Sequence, residues 1–147
     1  MSSILAALHL LALGIGLGGV YVRGRQLRYP LDDARLRNLF AADNAWGVAA
    51  VLWLVTGLWR FLGGVEKPTG WYLHNPLFHA KLTLFILILA FEAYPMTMLI
   101  KWRIRVKKNM SIDPSPLSRM RLFNRLEIAS VVIIVFIATF MARGHGI

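Results

Sequence analysis

Two histidines and a lysine interrupt apolar stretches of this 147-residue chain and are its first candidates for chemistry. His9 is the only His, Asp, Glu, Lys or Arg of the stretch 4–22, and His79 and Lys81 lie near the start of the stretch 77–100. A neutral imidazole can bind haem iron or copper, and a Lys or Arg side chain can neutralise a haem propionate. Because ionisable residues are costly inside a bilayer, these three residues indicate a functional site if the stretches span a membrane.

The composition is typical of a membrane protein. Hydrophobic residues make up 57% of the chain and charged residues 16%, whereas about 25% of a soluble domain is charged. This excludes an ordinary soluble domain, and the absence of cysteine excludes disulfides and thiolate metal sites. A helix of about 20 apolar residues crosses a hydrocarbon core of about 30 Å. We therefore predict an all-α fold, a polytopic four-helix membrane bundle that forms one domain over residues 1–147, with helices at about 4–22, 44–63, 77–100 and 126–142.

Helix-capping signals stand at the ends of two of these stretches. Asp43 is the predicted N-cap of the second helix, and the glycine pair 63–64 is its predicted stop. Asn75 is predicted to cap the third helix, with Pro76 at its first position. The segment 111–117 predicts a turn between helical extensions.

The charges sit at the ends of the apolar stretches and set the predicted topology. Residues 23–42 contain five arginines and residues 101–125 contain eight Lys or Arg, whereas Lys67 is the only such cation of residues 64–76. The positive-inside rule places the two basic loops in the cytoplasm and both termini in the periplasm, as a multi-pass protein of a bacterial inner membrane. Orientation and contact with anionic lipid headgroups then account for the net charge of +10, and a nucleic-acid partner is not expected.

This topology brings a cation or an imidazole from every helix to one layer near the periplasm, which we call the outer layer. Its members are His9, Arg60, His79, Lys81 and Arg143. Each cation could instead extend to lipid headgroups, and His9 could simply hydrogen-bond within the helix packing. As a site, the layer fits a b-type haem with His9 and His79 as axial ligands and with Lys81 or Arg60 on its acidic groups. It also fits a quinone or other membrane-soluble anion, or copper held by His9, His79 and Met141.

A second polar layer is expected near the cytoplasmic ends of the helices, and we call it the inner layer. Its members are Asp43, Asn44, Glu92, Asn124, Arg125 and Glu127. Arg121 or Arg125 is the expected partner of Glu92. Glu92, Arg121, Arg125 and Glu127 then form either an ion-pair clasp that fixes the helix ends or a proton path toward the outer layer.

Gly14 and Gly18 form a face of small residues on the first helix, which permits close approach of another group. We expect this face to contact a neighbouring helix of the bundle, a bound flat ligand or a second copy of the chain in a homodimer.

Short motifs over nearly the whole chain carry a family resemblance. They are Leu-His-Leu-Leu-Ala at 8–12, Ala-Ala-Asp-Asn-Ala-Trp-Gly at 41–47, Thr-Gly-Leu-Trp-Arg at 56–60, Asn-Pro-Leu-Phe-His-Ala-Lys-Leu at 75–82 and Glu-Ala-Tyr-Pro-Met at 92–96. With these motifs the chain resembles a family of small bacterial integral membrane proteins of unknown function. It is more distantly similar to the haem-containing four-helix type of protoporphyrinogen oxidase and to copper-resistance membrane proteins.

The distant similarity implies roles for particular residues. In that oxidase a His lies early in the first helix and a His-x-Lys pair opens the third, and His9, His79 and Lys81 match these features. The pattern of Arg, Asn and Glu residues before the last helix of that oxidase is matched only loosely, by Arg121, Asn124 and Glu127.

Together these features predict a protein that binds b-type haem in the periplasmic half of the bundle, for electron transfer or porphyrin-related redox chemistry. The alternative is a non-enzymatic transport or assembly protein that handles copper or a small anion. A third interpretation is a structural subunit whose polar layers serve only packing. The sequence leaves open the enzymatic activity, the electron partner and the oligomeric state.

Overall fold

Four long helices and one short helix form the part of the protein that the structure, a computed structural model, describes: residues 2–64 and 67–146. The helices are α1 (Ser2–Gln26), α2 (Asp33–Leu62), α3 (Thr69–His74), α4 (Pro76–Lys107) and α5 (Leu117–Ala142), and these described residues contain no strand. The helices α1, α2, α4 and α5 are long and apolar enough to span a membrane. The predicted all-α fold with four membrane helices is therefore confirmed, whereas the side of the membrane on which the termini lie stays a prediction.

The second helix begins well before its predicted start. It begins at Asp33, and its N-cap is Asp32, whose carboxylate accepts a backbone hydrogen bond from the first turn at 2.8 Å. The prediction that Asp43 caps this helix is wrong, because the polar segment before it is an amphipathic helical extension rather than a loop. The apolar residues of that extension, Leu36 and Leu39, are buried. Its charged residues lower the mean hydropathy, so a search for apolar stretches does not include the extension.

The other long helices also extend beyond their apolar stretches. α4 continues through Pro95 to Lys107, and α5 begins at Leu117, with the predicted turn between them. α4 starts as predicted, with Asn75 as its N-cap and Pro76 at its first position. The extensions carry Lys and Arg, which end an apolar window but have high helix propensity.

The connection from α2 to α4 contains the short helix α3, which the sequence did not predict. Gly63 ends α2 as predicted, and Gly64 follows it with φ at 55°. Tyr72 of α3 is buried against Phe61 and Phe78, with ring centroids 5.8 Å and 5.4 Å apart. This connection therefore covers one end of the bundle with aromatic side chains.

Three apolar layers follow one another along the bundle, in which α1 packs against α2 and α5, and α4 packs against α5. The middle layer consists of Ala12, Val20, Trp46, Trp53, Ile88, Val131 and Ile134. The basic-end layer, beside the two basic connections, consists of Leu27, Leu36, Leu39, Leu99, Trp102 and Met120. The α3-end layer consists of Tyr72, Phe78 and Met141.

Glycines of α1 permit close approach to α2, but they are not the predicted ones. A Cβ atom on Gly19 would lie 2.9 Å from the backbone nitrogen of Trp46, and one on Gly16 would lie 3.3 Å from the Trp46 ring. Gly14 and Gly18 are exposed, and a Cβ atom on either would have no atom of another helix within 4 Å. The expectation that Gly14 and Gly18 contact a neighbouring helix of the bundle is therefore wrong, and the flat-ligand and homodimer alternatives for them stay predictions.

We expect Gly19→Ala to destabilise the protein by about 1–3 kcal/mol, because its methyl group would force α1 and α2 apart. Gly18→Ala is the matched control, and its exposed position should leave stability unchanged or raise it, by up to about 1 kcal/mol from helix propensity. Unfolding of the detergent-purified variants measures both effects, and equal losses at the two positions would contradict the packing described here.

Candidate functional site

Charged side chains lie between the middle and basic-end apolar layers. On α1, Arg23 lies one turn after Val20, and Leu27 follows just beyond the end of the helix; all three side chains are fully buried. With Gly16, these residues form a stripe at spacings of three and four positions, which is one face of a helix. Because this face packs inside the bundle, the side chain of Arg23 points into the interior. We call Arg23 and its four acceptor residues the Arg23 centre; the acceptors are Asp43, Glu92, Asn124 and Glu127.

The guanidinium of Arg23 donates five hydrogen bonds. Nε donates to Oδ1 of Asn124 at 2.8 Å. Nη1 donates to Oδ1 of Asp43 at 3.0 Å and to Oε1 of Glu92 at 2.9 Å. Nη2 donates to Oε2 of Glu92 at 2.9 Å and to Oε2 of Glu127. Every N–H group of the guanidinium is therefore used, and its pair with Glu92 has the bidentate geometry of the strongest Arg–carboxylate contacts.

Two of the three carboxylates have a donor on each oxygen. The second oxygen of Asp43, Oδ2, accepts from Nη2 of Arg103 at 2.9 Å. Oε2 of Glu92 accepts from the indole Nε1 of Trp46 at 2.9 Å in addition to its bond from Arg23. Because an ionised carboxylate only accepts hydrogen bonds, these surroundings suit the charged forms of Asp43 and Glu92.

Glu127 differs from the other two acids. Its side chain is fully buried, and one oxygen accepts from Arg23. Its other oxygen, Oε1, has no hydrogen-bond partner among the residues that the structure describes. A buried polar atom without a partner costs about 1–3 kcal/mol. Glu127 is therefore the unsatisfied member of the Arg23 centre.

The charges of the Arg23 centre and of Arg103, which pairs with Asp43, do not balance when every acid is ionised. Three carboxylates face two guanidinium groups, those of Arg23 and Arg103. Guanidinium groups stay protonated in proteins, so the cluster then carries one negative charge in excess. A single added proton makes it neutral.

The two predicted haem ligands lie in different surroundings. His9 is half-buried in the bundle, with Nδ1 2.8 Å from Oγ1 of Thr56 and its ring centroid 5.8 Å from that of Trp53. His79 is exposed, and its Nε2 donates to the carbonyl of Leu73 at 2.8 Å, where α3 meets α4. The two imidazoles therefore hydrogen-bond to different groups.

The remaining members of the outer layer lie on different helices. Nζ of Lys81 is 5.7 Å from the ring centroid of Phe78, and Arg60 is half-buried in the last turn of α2. Arg143 is exposed at the end of α5, whereas Met141 is buried in the α3-end layer. Within residues 2–64 and 67–146, no three His, Asp or Glu side chains are arranged to hold a metal ion.

The acids of the inner layer meet at one cation, and that cation is not the predicted one. Glu92 pairs with Arg23, so the expectation that Arg121 or Arg125 is its partner is wrong. Arg121 instead donates to a backbone carbonyl just beyond α1 at 3.2 Å, and Arg125 is exposed, as is Asn44. The reason is the length of α1, which continues past its apolar stretch and carries Arg23 into the interior.

Sequence reasoning missed Arg23 because it counted the residue among the cations of a basic loop. Two signals could have found it. Arg23 lies at helical spacing from the buried residues Gly16 and Val20 of α1 and from Leu27 just beyond it. Acids placed inside apolar helices also need a cation at the same depth, and Arg23 is the first cation that follows the apolar stretch of α1.

One comparison with known proteins bears on the chain as a whole. The family described as "Predicted membrane protein (DUF2214)" matches residues 1–146. The chain belongs to this family. With its four membrane-length helices it is a multi-pass membrane protein, and the resemblance to a membrane protein family of unknown function is confirmed. No curated protein and no protein of solved structure matches the chain, so the similarity to protoporphyrinogen oxidase and copper-resistance proteins stays a prediction without support.

We expect Arg23→Lys to lower the free energy of unfolding by more than about 2 kcal/mol, because a lysine has fewer donors and loses bonds to charged groups worth about 1.5–3 kcal/mol each. The matched control is Arg25→Lys, two residues along the same helix and exposed, which should change stability by less than about 0.5 kcal/mol. Thermal unfolding in detergent measures both variants, and a tolerated Arg23→Lys would contradict the five-bond geometry.

Proposed function

We propose that this multi-pass membrane protein couples its activity to a proton carried by Glu127 in the Arg23 centre. The observation that carries the proposal is the buried Oε1 of Glu127, which has no hydrogen-bond partner among the described residues. Ionisable residues inside membrane helices are costly and typically mark ion or proton pathways. Arg23 fixes the geometry of the centre, and the unsatisfied oxygen is the position at which a proton is added or removed.

The charge balance supports the same residue. Both oxygens of Asp43 and of Glu92 already accept hydrogen bonds, so a proton on either acid would share its oxygen with an existing donor. Oε1 of Glu127 has no donor among the described residues, so a proton there shares its oxygen with none and removes the excess negative charge. Loss of this proton restores the negative charge in apolar surroundings. The centre is therefore sensitive to any charged group that binds or moves nearby.

A purely structural clasp is the competing explanation, and two features of the centre argue against it. A clasp is most stable when opposite charges are equal in number and all its polar atoms are paired. Here the acids outnumber the guanidinium groups, and one oxygen of Glu127 is unpaired among the described residues. A glutamine in place of Glu127 would keep an acceptor for Nη2 of Arg23 and would remove the excess charge, so the presence of an acid favours a function for its proton.

The orientation in this proposal follows the positive-inside rule. The basic ends of the helices then face the cytoplasm of a bacterial inner membrane, and both termini face the periplasm. The Arg23 centre lies 10 residues from the first residue of both α2 and α5, measured to Asp43 and Glu127, or about 15 Å along each helix. Proton exchange therefore takes place from the cytoplasmic side.

Infrared spectroscopy of the purified protein tests the proposal. We expect the carbonyl stretch of a protonated carboxyl group, lost reversibly as the pH is raised and absent from Glu127→Gln. Glutamine preserves the shape of the protonated acid, so this variant should remain folded. Asp113→Asn is the matched control, because Asp113 is an exposed acid in the turn between α4 and α5, and the band should persist in it.

Three results would overturn the assignment to Glu127. The first is the absence of any protonated carboxyl band across the range in which the protein is folded. The second is a band that survives Glu127→Gln. The third is a band that never responds to pH or to exchange into heavy water, because a proton that is permanently locked in place serves packing alone.

The haem function remains an alternative, and one observation favours His9 as a ligand. The hydroxyl of Thr56 donates its hydrogen to the carbonyl of Leu52 at 2.6 Å, so its oxygen must accept from Nδ1 of His9. A neutral His9 therefore has its lone pair on Nε2, the nitrogen that would bind iron.

The surroundings of His9 do not fit a haem with two imidazole ligands. The gap between α1 and α2 beside Trp46 and Trp53 has a cavity volume of about 0 Å³, whereas ligand pockets generally have about 300–1,000 Å³. The second ligand, His79, already donates its Nε2 hydrogen to a backbone carbonyl. Copper would require Met141, which packs in the α3-end layer. The residues of the outer layer therefore fit neither a haem with two imidazole ligands nor this copper site.

An absorption spectrum of detergent-purified protein, produced with ample haem, decides the haem alternative. That alternative predicts a Soret band that His9→Ala and His79→Ala each remove or shift. The Lys81 side chain would contact only propionates, so Lys81→Ala should leave the band position unchanged. A spectrum without a Soret band rejects the alternative, and the proton proposal does not depend on this result.

A further inference from the structure

A groove lined by arginines lies at the basic end of the bundle, between the end of α1 and the start of α5. We call it the arginine groove; its charged and aromatic walls are Tyr21, Arg25, Arg28, Tyr29, Arg121 and Arg125. The groove has a cavity volume of about 120 Å³. A site for one water molecule needs only about 10–15 Å³ by this measure, so the groove has room for a larger group.

The positive charge of the groove is not neutralised by acids. None of its lining residues is a carboxylate. Within the described part of the chain, Arg25, Arg28 and Arg125 form no ion pair. Arg121 is half-buried, and its bond to the carbonyl of Leu27 at 3.2 Å holds its side chain at the wall. Because guanidinium groups stay charged and bind phosphate oxygens in pairs, the groove is suited to a phosphate group.

The floor of the groove is polar and fixed in place. Gly24 and Asn124 form it, and a Cβ atom on Gly24 would collide with the side-chain amide of Asn124. That amide donates from Nδ2 to the carbonyl of Val20 at 3.1 Å and accepts from Nε of Arg23 at 2.8 Å. The floor therefore needs no rearrangement when a ligand binds, which lowers the cost of binding.

The groove also meets the apolar surface of the membrane helices. Ile128 lines it on the side toward the middle of the bundle. Tyr21 and Tyr29 are 61% and 50% exposed, and tyrosines of this kind lie at the level of lipid headgroups. Val22 and Leu122, which directly follow the groove residues Tyr21 and Arg121 in the sequence, expose apolar side chains on α1 and α5. A ligand with both a phosphate and an acyl chain uses all of these contacts, whereas free phosphate uses only the arginines.

We propose that the arginine groove is a binding site for the phosphate headgroup of an anionic phospholipid. The phosphate lies among Arg25, Arg28, Arg121 and Arg125, and the acyl chains lie along the exposed apolar side chains of α1 and α5. This site rests on the groove and its charge and not on the proton carried by Glu127, so either proposal can fail without the other.

Thermal unfolding of the delipidated protein in detergent tests this site with three probes. These are phosphatidylglycerol, phosphatidylcholine with the same acyl chains, and inorganic phosphate. We expect only phosphatidylglycerol to raise the melting temperature in a saturable way. The double variant Arg25→Gln/Arg125→Gln should weaken that binding at least tenfold. The matched control, Arg37→Gln/Lys101→Gln, removes the same charge from exposed positions outside the groove and should change binding by less than twofold.

Each other outcome overturns the proposal in a distinct way. Equal stabilisation by both lipids would show that the headgroup charge is not recognised. Equal weakening by the two double variants would show diffuse attraction to the whole basic end rather than a site. Stabilisation by inorganic phosphate as large as that by phosphatidylglycerol would assign the groove to a free phosphate compound. The replaced side chains are exposed, so the variants should remain folded in every arm.

Discussion

A permanently charged guanidinium buried among four membrane helices is the constraint on which the rest of this structure depends. Arg23 cannot lose its proton, and burying an unpaired ion costs several kcal/mol even after relaxation. Acceptors on α2, α4 and α5 therefore have to meet it at one level of the bundle. Asp43, Glu92, Asn124 and Glu127 provide them. A rotation or sliding of any long helix would leave a donor or an acceptor unpaired, so the centre fixes the relative positions of all four.

The close contact of α1 with α2 makes this arrangement geometrically attainable. Gly19, one helical turn before Arg23, lies against the backbone of α2 next to Trp46. The same contact brings Asp43, less than one turn from Trp46, opposite Arg23. Because the indole of Trp46 donates to Glu92, the segment of α2 that meets Gly19 also reaches α4. A small residue on α1 thus permits the contact from which the polar network extends across the bundle.

The two ends of the bundle are chemically different. At the α3 end, aromatic side chains cover the helices, and the histidines there are engaged with backbone carbonyls. At the basic end, the arginine groove adjoins the Arg23 centre through Asn124, which forms the floor of the groove and also accepts from Arg23. The charge of a ligand in the groove therefore lies near the acid that we propose as the proton carrier. Both proposed activities belong to one end of the molecule.

The sequence by itself determined the four membrane helices and the level of the inner acids, because hydropathy and distance along a helix are local properties. Counting residues from the helix ends was enough to group Asp43, Glu92 and Glu127. Only the tertiary structure decided which cation they share, because α1 continues as a helix beyond its apolar stretch and its rotation carries Arg23 inward. The same rotation turned Gly19 rather than Gly18 toward α2. Which face of a helix is buried depends on the neighbours that it packs against. In a helix that is apolar on all sides, the sequence does not indicate which face that is.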